Sequence, residues 1–304
     1  MSQQVYDVLI VGEGISGLTA ARTLAQKGLT VATLEAQLFG GLIINVNELE
    51  PGPGERQTSG AEYAAELMQA NAELGVTSIQ EAATAIKSDG SLKRVVAAGA
   101  SYEARHVVIA SGARLKKLGV PGETEFEGRG VSQCADCDGP MYQNEEVVVV
   151  GGGDSALQEA LVLARFCGKV HLVHRGHQFR ARAQFVEQVK ANAKISIIWN
   201  AGIDRIIGSR MVEKICVKLG GGGNVKEIPC AGIFAYVGLA PNSEFLPQEI
   251  ERDGAGFVST SETLETAMAG VYAVGAVRRG YGGLLTDAIS EARLAADGLC
   301  ERLT

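Results

Sequence analysis

Several features are scarce or missing in this chain, and each absence narrows its function. No apolar run approaches the ~20 residues that a membrane span needs, so we expect no membrane association. Lys and Arg number 28 against 35 Asp and Glu, and the net charge of −7 argues against a nucleic-acid partner. Proline is limited to 7 residues and no Gly-X-Y period occurs, which argues against collagen-like or disordered chains. No GxSxG segment is present, so a Ser–His–Asp hydrolase has no support.

Cysteine is also sparse, and its distribution is informative. Four of the 6 cysteines are scattered, whereas Cys134 and Cys137 form one close pair. This pattern does not indicate a secreted disulfide framework, and a CxxC in a βαβ context is typical of cytosolic redox chemistry. The first apolar strand follows MSQQ directly, without a basic leader. We therefore expect a cytoplasmic enzyme.

Glycine is abundant, and it marks an internal repeat. The first copy runs from a strand at Val5 through a glycine-rich turn and an amphipathic segment ending at Gly28 to a second strand. The second copy has the same order, from EEVVVV to KVHLVHR. A turn that merely needs small residues would explain one isolated match, but both turns here follow a strand and open a helix. The candidate nucleotide-binding residues of the two turns are Gly12, Gly14, Ile15, Ser16 and Gly17, and Gly151, Gly153, Asp154, Ser155 and Ala156.

The residues after each turn predict different ligands. Glu35 lies 23 residues after Gly12, where a carboxylate accepts a ribose 2′-hydroxyl and repels a 2′-phosphate. At the same offset from Gly151 the second copy has His174 and Arg175, followed by Arg180 and Arg182. Cations there favour a 2′-phosphate, although an ordinary solvated surface also carries such arginines. The first copy therefore suits FAD or NAD, and the second suits NADP.

Two connectors divide the 304 residues, a length that allows two domains of about 100–200 residues. A Gly/Pro-bearing segment follows residues 105–113, and a polar segment spans residues 242–247. We expect residues 1–115 and 245–304 to form one discontinuous domain, with residues 118–242 inserted as the second. The predicted fold class is α/β, with two Rossmann-like FAD/NAD(P)-binding domains, the second inserted into the first.

Cys134-Ala135-Asp136-Cys137 is the reactive candidate. Two intervening residues allow a disulfide that opens and closes, and Asp138 can act as general acid for a leaving thiolate. Half a zinc site is one alternative, but a structural zinc takes four ligands and no second close Cys or His pair has the usual spacing, so we expect no metal. Two inert buried thiols are the other alternative, although close pairs are usually redox pairs.

Together these motifs resemble the low-molecular-weight thioredoxin reductases. The segments occur in that family's order and spacing over essentially the whole chain: GEGISG at 12–17, ASGA at 110–113, CADCDG at 134–139, GGGDSA at 151–156 and HRGHQFRA at 174–181. CADCDG shortly before GGGDSA is specific to this branch of the flavin disulfide reductases, because it places the CxxC inside the nucleotide domain.

The resemblance implies a homodimer with an FAD domain and an inserted NADPH domain that carries the CxxC. By similarity, electrons pass from NADPH through FAD to the Cys134–Cys137 disulfide, and on to thioredoxin, a thioredoxin-like protein or a small disulfide. Cys137 would face the flavin, Cys134 would exchange with the partner, and Asp138 would protonate. Further FAD-binding positions implied by the resemblance are Ala36, Gly40, Gly41, Leu42, Ala110, Ser111, Gly112, Gly275 and Ala276.

Several family residues near the flavin are replaced. The usual Gly-Asp near the C-terminus is Gly275-Ala276, an Arg-Gln pair is Gly283-Leu284, and a Gln is Leu42. Losing one charge-assisted hydrogen bond typically costs about 1.5–3 kcal/mol, so we expect FAD binding to be weakened or retuned. A dithiol oxidase, a reductase with another donor or substrate, or a non-enzymatic redox sensor remain alternatives.

The NADPH side departs once from the family pattern. The family's second arginine after the histidine is Gly176, whereas Arg175 and Arg180 are present and His177 is close by. We therefore expect a softer preference for NADPH, with NADH possible.

Overall fold

The computed structural model describes residues 4–49, 56–220 and 224–303, which form two compact units. Unit 1 comprises Met1–Arg114 and Ala240–Thr304, and unit 2 is Leu115–Leu239. Each unit contains a mostly or wholly parallel sheet with helices packed against it. The predicted α/β fold with two Rossmann-like units is confirmed.

In unit 1 a helix follows each of the first two strands, and in unit 2 a helix follows each of the strands Val131–Ser132, Glu146–Gly151 and Lys169–Val173. In chain order the strands are β1 (Val5–Val11), β2 (Val31–Leu34), β3 (Thr77–Ile79), β4 (Ala83–Asp89), β5 (Leu92–Ala97), β6 (Ser101–Ile109), β7 (Ala113–Leu115), β8 (Val131–Ser132), β9 (Glu146–Gly151), β10 (Lys169–Val173), β11 (Ile195–Ile198), β12 (Ala201–Gly208), β13 (Val212–Leu219), β14 (Asn224–Pro229), β15 (Gly232–Tyr236), β16 (Leu239–Pro241) and β17 (Val271–Ala273). The α-helices are α1 (Ile15–Gln26), α2 (Gly60–Glu73), α3 (Ala135–Asp138), α4 (Asp154–Phe166), α5 (Ala183–Ala191) and α6 (Leu285–Leu303). Short 3₁₀ helices lie at Gly41–Asn45, Gly139–Tyr142 and Gly275–Val277.

The sheet of unit 1 has the order β3-β2-β1-β6-β5-β4, and β17 also pairs with β6. Strands β1, β2, β3, β6 and β17 run parallel, whereas β4 and β5 are antiparallel additions at one edge. Val8 and Ile10 of β1 pack on one face, and Leu9 and Val11 pack on the other. All four are at most 5% exposed, which explains the continuous apolar run of this strand.

Helix α1 connects β1 to β2 and has a glycine next to each end. It begins after Gly14, its N-cap, and ends at Gln26, with Lys27 as C-cap. Gly28 follows with φ +84° and donates its N–H to the carbonyl oxygen of Ala25. This left-handed residue lets the chain leave the helix and enter β2, as the sequence signal at Gly28 predicts.

The main sheet of unit 2 is fully parallel, in the order β11-β10-β9-β15-β8. Val147 and Val149 of β9 face α4, while Val148 and Val150 face an antiparallel sheet formed by β12, β13 and β14. The segments that join the two units, β7 and β16, pair with each other. In the part of the chain that the structure describes, no helix is long and apolar enough to cross a membrane.

Candidate functional site

The first glycine-rich turn is packed tightly on one side and open on the other. A Cβ on Gly17 would lie 1.9 Å from the carbonyl oxygen of Gly12, and a Cβ on Gly12 would lie 2.4 Å from that of Ala110. A Cβ on Gly14 would instead meet no atom within 4 Å. The N-terminus of α1 has neither a side-chain cap nor an acidic residue in its first turn. This uncapped helix end with open space beside Gly14 fits a pyrophosphate group.

Glu35 lies beside this turn, directly after β2. Its Oε2 accepts the N–H of Glu13 at 2.8 Å, and its Oε1 accepts the N–H of Gln37 at 2.9 Å. These bonds orient the carboxylate, and each oxygen keeps a second lone pair that can accept a hydroxyl. The arrangement fits a ribose at the strand end.

Glu13 is a structural residue of the turn that the sequence did not reveal. Its side chain is only 2% exposed, and Oε1 accepts the hydroxyls of Thr33 at 2.5 Å and Ser78 at 2.6 Å. The carboxylate thus ties the turn to β2 and β3. Its position within GxGxxG carries no side-chain requirement, so no motif points to this role.

Several of the remaining flavin candidates converge on the same turn. The N–H of Gly40 donates to the carbonyl oxygen of Glu13 at 2.7 Å, and a Cβ on Gly275 would lie 2.2 Å from Ser16 Oγ. By contrast, the side chains of Ala36 and Leu42 are exposed. Of the other candidates, Ile15 is buried, Gly41 opens the 3₁₀ helix that contains Leu42, and Ala276 is half-buried.

The Ala110–Gly112 segment is held by the strand behind it and by the returning chain. Ala110 N–H donates to the carbonyl oxygen of Val11 at 2.8 Å. Ser111 Oγ donates to the carbonyl oxygen of Asn242 at 2.7 Å, and Asn242 N–H donates to that of Gly112 at 3.0 Å. These bonds fix the segment next to Gly12.

A half-buried ion pair stabilises the segment in which Ala276 replaces the family's aspartate. Glu291 of α6 accepts the N–H of Gly275 at 2.8 Å and pairs with the guanidinium of Arg278. The two side chains are 12% and 16% exposed. The loop is therefore organised by a carboxylate from α6, which no sequence motif indicates.

Glu291→Ala is expected to lower the free energy of unfolding by about 2 kcal/mol, because it leaves Arg278 and the Gly275 N–H without their shared acceptor. FAD retention should fall as well, since Gly275 packs against the first turn. Thermal unfolding and flavin content of the purified variant measure both effects. Glu301→Ala removes an exposed glutamate of the same helix and should change neither; equal effects of both variants would contradict this role.

The second glycine-rich turn is built like the first. A Cβ on Gly151 would lie 2.4 Å from the carbonyl oxygen of Tyr236, and one on Gly152 would lie 2.2 Å from the ring of His174. A Cβ on Gly153 would meet no atom within 4 Å. Gly153 is the N-cap of α4 and provides no side-chain cap. This open helix end also fits a pyrophosphate.

The first residues of α4 carry one charged group, and it is neutralised within unit 2. Asp154 accepts the N–H of Arg182 and its Nε–H, both at 2.7 Å. The side chain of Arg182 is therefore paired with Asp154 at the turn. Of the residues that follow Asp154 in α4, Ser155 is exposed and Ala156 is fully buried.

The cationic segment after β10 separates into a buried histidine and exposed arginines. His174 is 6% exposed, and its Nε2 lies 3.0 Å from the carbonyl oxygen of Gln178. Arg175 and Arg180 are exposed, and neither forms an ion pair within the described residues of the chain. The backbone N–H of Arg180 also donates to the carbonyl oxygen of Gly152 at 2.8 Å, which places the backbone of this residue beside the turn. His174 therefore supports the turn, and two free cations remain for an anionic group.

The CxxC forms a disulfide at the start of the short helix α3. The Cys134–Cys137 bond spans Cα atoms 5.3 Å apart, and Cys137 is exposed. The N–H of Cys137 points at Cys134 Sγ at 3.2 Å. An amide in this position stabilises negative charge on the sulfur, so the geometry favours Cys134 as the thiolate when the bond opens.

Asp138 is oriented next to this pair. Ser132 Oγ donates to Asp138 Oδ2 at 2.6 Å and accepts the N–H of Cys134 at 3.2 Å. The serine therefore links the carboxyl group of Asp138 to the backbone of the reactive pair. Ser132 is a further site residue that the sequence did not reveal, because a lone serine in a short strand carries no signal.

The remaining cysteines are unsuited to thiol chemistry. Cys167, Cys216, Cys230 and Cys300 are all buried. Burial raises the pKa of Cys167 to about 11 and that of Cys230 to about 12, which leaves almost no thiolate at neutral pH. The CxxC is therefore the cysteine pair that is placed for thiol–disulfide exchange.

Comparisons with known proteins agree with this geometry. Residues 6–292 match the family described as pyridine nucleotide-disulphide oxidoreductase. The chain is 35% identical to the thioredoxin reductase of Treponema pallidum over 292 residues, covering 96% of this chain and 95% of that protein. It is 36% identical to that of Mycolicibacterium smegmatis over 276 residues, covering 90% and 89%.

A solved structure extends the similarity to the fold. The thioredoxin reductase of Lactococcus lactis superimposes with a TM-score of 0.92 at 35% identity, covering 97% of this chain and 98% of that one. Members of this family use FAD and NADPH, and both glycine-rich turns of this chain fit such nucleotides. The chain therefore belongs to the thioredoxin reductases, FAD-dependent disulfide reductases within the pyridine nucleotide-disulphide oxidoreductase family.

Proposed function

We propose that this enzyme carries electrons from NADPH to the disulfide of thioredoxin or a thioredoxin-like protein. The observation that carries the proposal is the Cys134–Cys137 disulfide, in which Cys137 is exposed and Cys134 is half-buried, with a charge-stabilising amide on Cys134 and an oriented carboxyl group beside the pair. The relatives are named thioredoxin reductases, which supports thioredoxin as the partner class. The family resemblance further supports a homodimer, and the cytosolic type of CxxC chemistry supports a cytoplasmic location.

The two units divide the cofactors between them. Unit 1 would hold FAD through the turn at 12–17, Glu35 and the loop at Gly275. Unit 2 would hold NADPH through the turn at 151–156, with Arg175 and Arg180 on the 2′-phosphate. When bound, FAD supplies a two-electron carrier that accepts hydride from the nicotinamide and reduces a disulfide.

The chain's own residues then pass the electrons on. Once the pair is reduced, the Cys134 thiolate attacks the partner disulfide and forms a mixed disulfide, releasing one partner thiolate. Cys137 next attacks the Cys134 sulfur, which re-forms the internal disulfide and releases the second partner thiolate. Asp138 supplies a proton to a leaving thiolate, and Ser132 keeps its carboxyl group in place. Overall, NADPH and one proton convert a disulfide to a dithiol and NADP⁺.

NADPH-dependent reduction of thioredoxin, followed by thiol release, tests the proposed function. Turnover with NADPH exceeding that with NADH supports it. Bound flavin that neither nicotinamide reduces would contradict the proposed donor. Oxygen consumption with a small dithiol would then indicate the dithiol oxidase considered above.

The open glycines test the cofactor assignment directly. Gly14 (φ −69°, ψ 177°) and Gly153 (φ −100°, ψ −178°) adopt extended conformations that alanine tolerates, so both variants should fold. Gly14→Ala should weaken FAD binding roughly 10-fold or more, and Gly153→Ala should do the same for NADPH, because the methyl group displaces a phosphate from the helix amides. Flavin content and calorimetric titration with NADP⁺ measure the two effects.

Each alanine variant is the control for the other. Gly298→Ala in α6 adds a methyl group that likewise meets no atom within 4 Å, and it should affect neither cofactor. Loss of FAD from Gly153→Ala with full retention by Gly14→Ala would overturn the assignment of the two units.

A further inference from the structure

A carboxylate from the nucleotide-binding helix contacts the CxxC segment. Oε2 of Glu159, on α4, accepts the N–H of Ala135 at 2.9 Å and the hydroxyl of Tyr236 at 2.9 Å. Ala135 directly follows Cys134 and is the first residue of α3. All of these residues lie within unit 2, so the contact is a property of that unit.

The surroundings of Glu159 disfavour its negative charge. Burial raises the pKa of the Glu159 carboxyl group, and the hydrogen bonds from Ala135 and Tyr236 only partly oppose this effect. Burial, together with the Glu159 charge, raises the pKa of Tyr236 as well. The charged and titratable groups that face the carboxylate are Asp136 on α3 and Tyr236 on β15. A buried carboxyl group with a raised pKa, bonded to the backbone of a reactive pair, is a candidate for a functional role.

Glu159 also affects the electrostatic surroundings of the Cys134 sulfur. At the start of α3, the N–H of Cys137 points at Cys134 Sγ, whereas the N–H of Ala135 is taken up by Glu159. The bond to Ala135 fixes the Glu159 carboxyl group next to the residue that follows Cys134. When this carboxyl group is ionised, its negative charge opposes a second negative charge on the sulfur of the reduced cysteine.

We propose that Glu159 is a positioning residue that holds the CxxC turn through Ala135 and keeps the reduced Cys134 a weaker acid. A dithiol whose thiolate is less stabilised re-forms its disulfide more readily, so it is a stronger reductant. Glu159 thus favours transfer of electrons from the reduced Cys134–Cys137 pair to the partner disulfide. The proposal rests on the disulfide chemistry of the proposed function, but not on its electron donor or its partner.

Alkylation of the reduced holoenzyme tests this role without nicotinamide or thioredoxin. Wild type and Glu159→Gln are reduced with dithiothreitol, desalted anaerobically and treated with iodoacetamide across a pH series, and the Cys134 peptide is quantified by mass spectrometry. Glutamine retains an acceptor for Ala135 but removes the charge. We expect the midpoint of the pH profile to fall and Cys134 alkylation at neutral pH to accelerate about threefold or more. Equilibration with glutathione should show a larger dithiol fraction in the variant.

Two further variants keep the test decisive. Glu125→Gln removes an exposed glutamate of the same unit and should leave the alkylation profile unchanged. Tyr236→Phe removes the second hydrogen bond to Glu159, favours its neutral form, and should shift the profile in the same direction by less. Profiles of Glu159→Gln and Tyr236→Phe that superimpose on wild type would overturn the proposal. Because no nicotinamide is used, that outcome is separable from a failure of NADPH-dependent turnover.

Discussion

Cys134→Ser is expected to lower NADPH-dependent thioredoxin reduction by roughly 1000-fold or more, because serine cannot form the mixed disulfide. Flavin content should be unchanged, since Cys134 lies in unit 2 and the first nucleotide turn lies in unit 1. The rate at which NADPH bleaches the flavin under anaerobic conditions should also persist. Stopped-flow absorbance and a steady-state thioredoxin assay on the same preparation separate the two half-reactions.

Cys137→Ser should block the next step, in which Cys137 attacks the Cys134 sulfur of the mixed disulfide. With Cys134 intact and no resolving thiol, the variant should trap a covalent complex with thioredoxin, visible on a non-reducing gel. Cys216→Ala is the control, because it removes a buried cysteine from β13 and should leave turnover intact. Full turnover by Cys134→Ser would contradict the assigned chemistry.

The double variant Arg175→Ala/Arg180→Ala is expected to reduce kcat/KM for NADPH about 100-fold, as two charge-assisted contacts to a 2′-phosphate are lost. The value for NADH should change little, because NADH carries no 2′-phosphate. The ratio of kcat/KM for the two nicotinamides therefore reports the loss directly. Wild-type selectivity should already be moderate, since Gly176 supplies no third cation.

Arg165→Ala provides the matched control for this selectivity. Arg165 is exposed near the end of α4, in the same unit, but far along the helix from its N-terminal turn. Its removal changes the net charge without touching the segment after β10. A loss of NADPH selectivity in Arg165→Ala as large as in the double variant would show that overall charge, and not Arg175 and Arg180, sets the preference.

The parallel sheets and the helices after each glycine-rich turn could be predicted from the sequence because local signals agree there. Continuous apolar runs mark β1 and β9, and glycines at both ends delimit α1. In the antiparallel strands β4 and β5 the local sequence signals do not agree with one another. In β5, Lys93 is buried at 7% exposure with Nζ on Ser88 Oγ, while the neighbouring Leu92 is partly exposed, so the apolar pattern misleads.

The part of the site that could be predicted consists of residues at fixed sequence distances from one another. The glycines of each turn, the carboxylate at a strand end and the two cysteines of the CxxC all have such fixed spacings. Glu13, Glu159 and Glu291 act through tertiary contacts with residues 16 to 77 positions away on other elements, so no offset reveals them. Their roles depend on burial and on hydrogen-bond partners that only the folded chain defines.

The most direct test of the account is an anaerobic reaction of the purified holoenzyme with NADPH alone, followed by alkylation and peptide mass analysis. We expect the flavin to be bleached and Cys134 and Cys137 both to become alkylated, while the four buried cysteines stay protected in the native protein. Bleaching that leaves the Cys134–Cys137 disulfide intact, or a flavin that NADPH does not reduce, would contradict it.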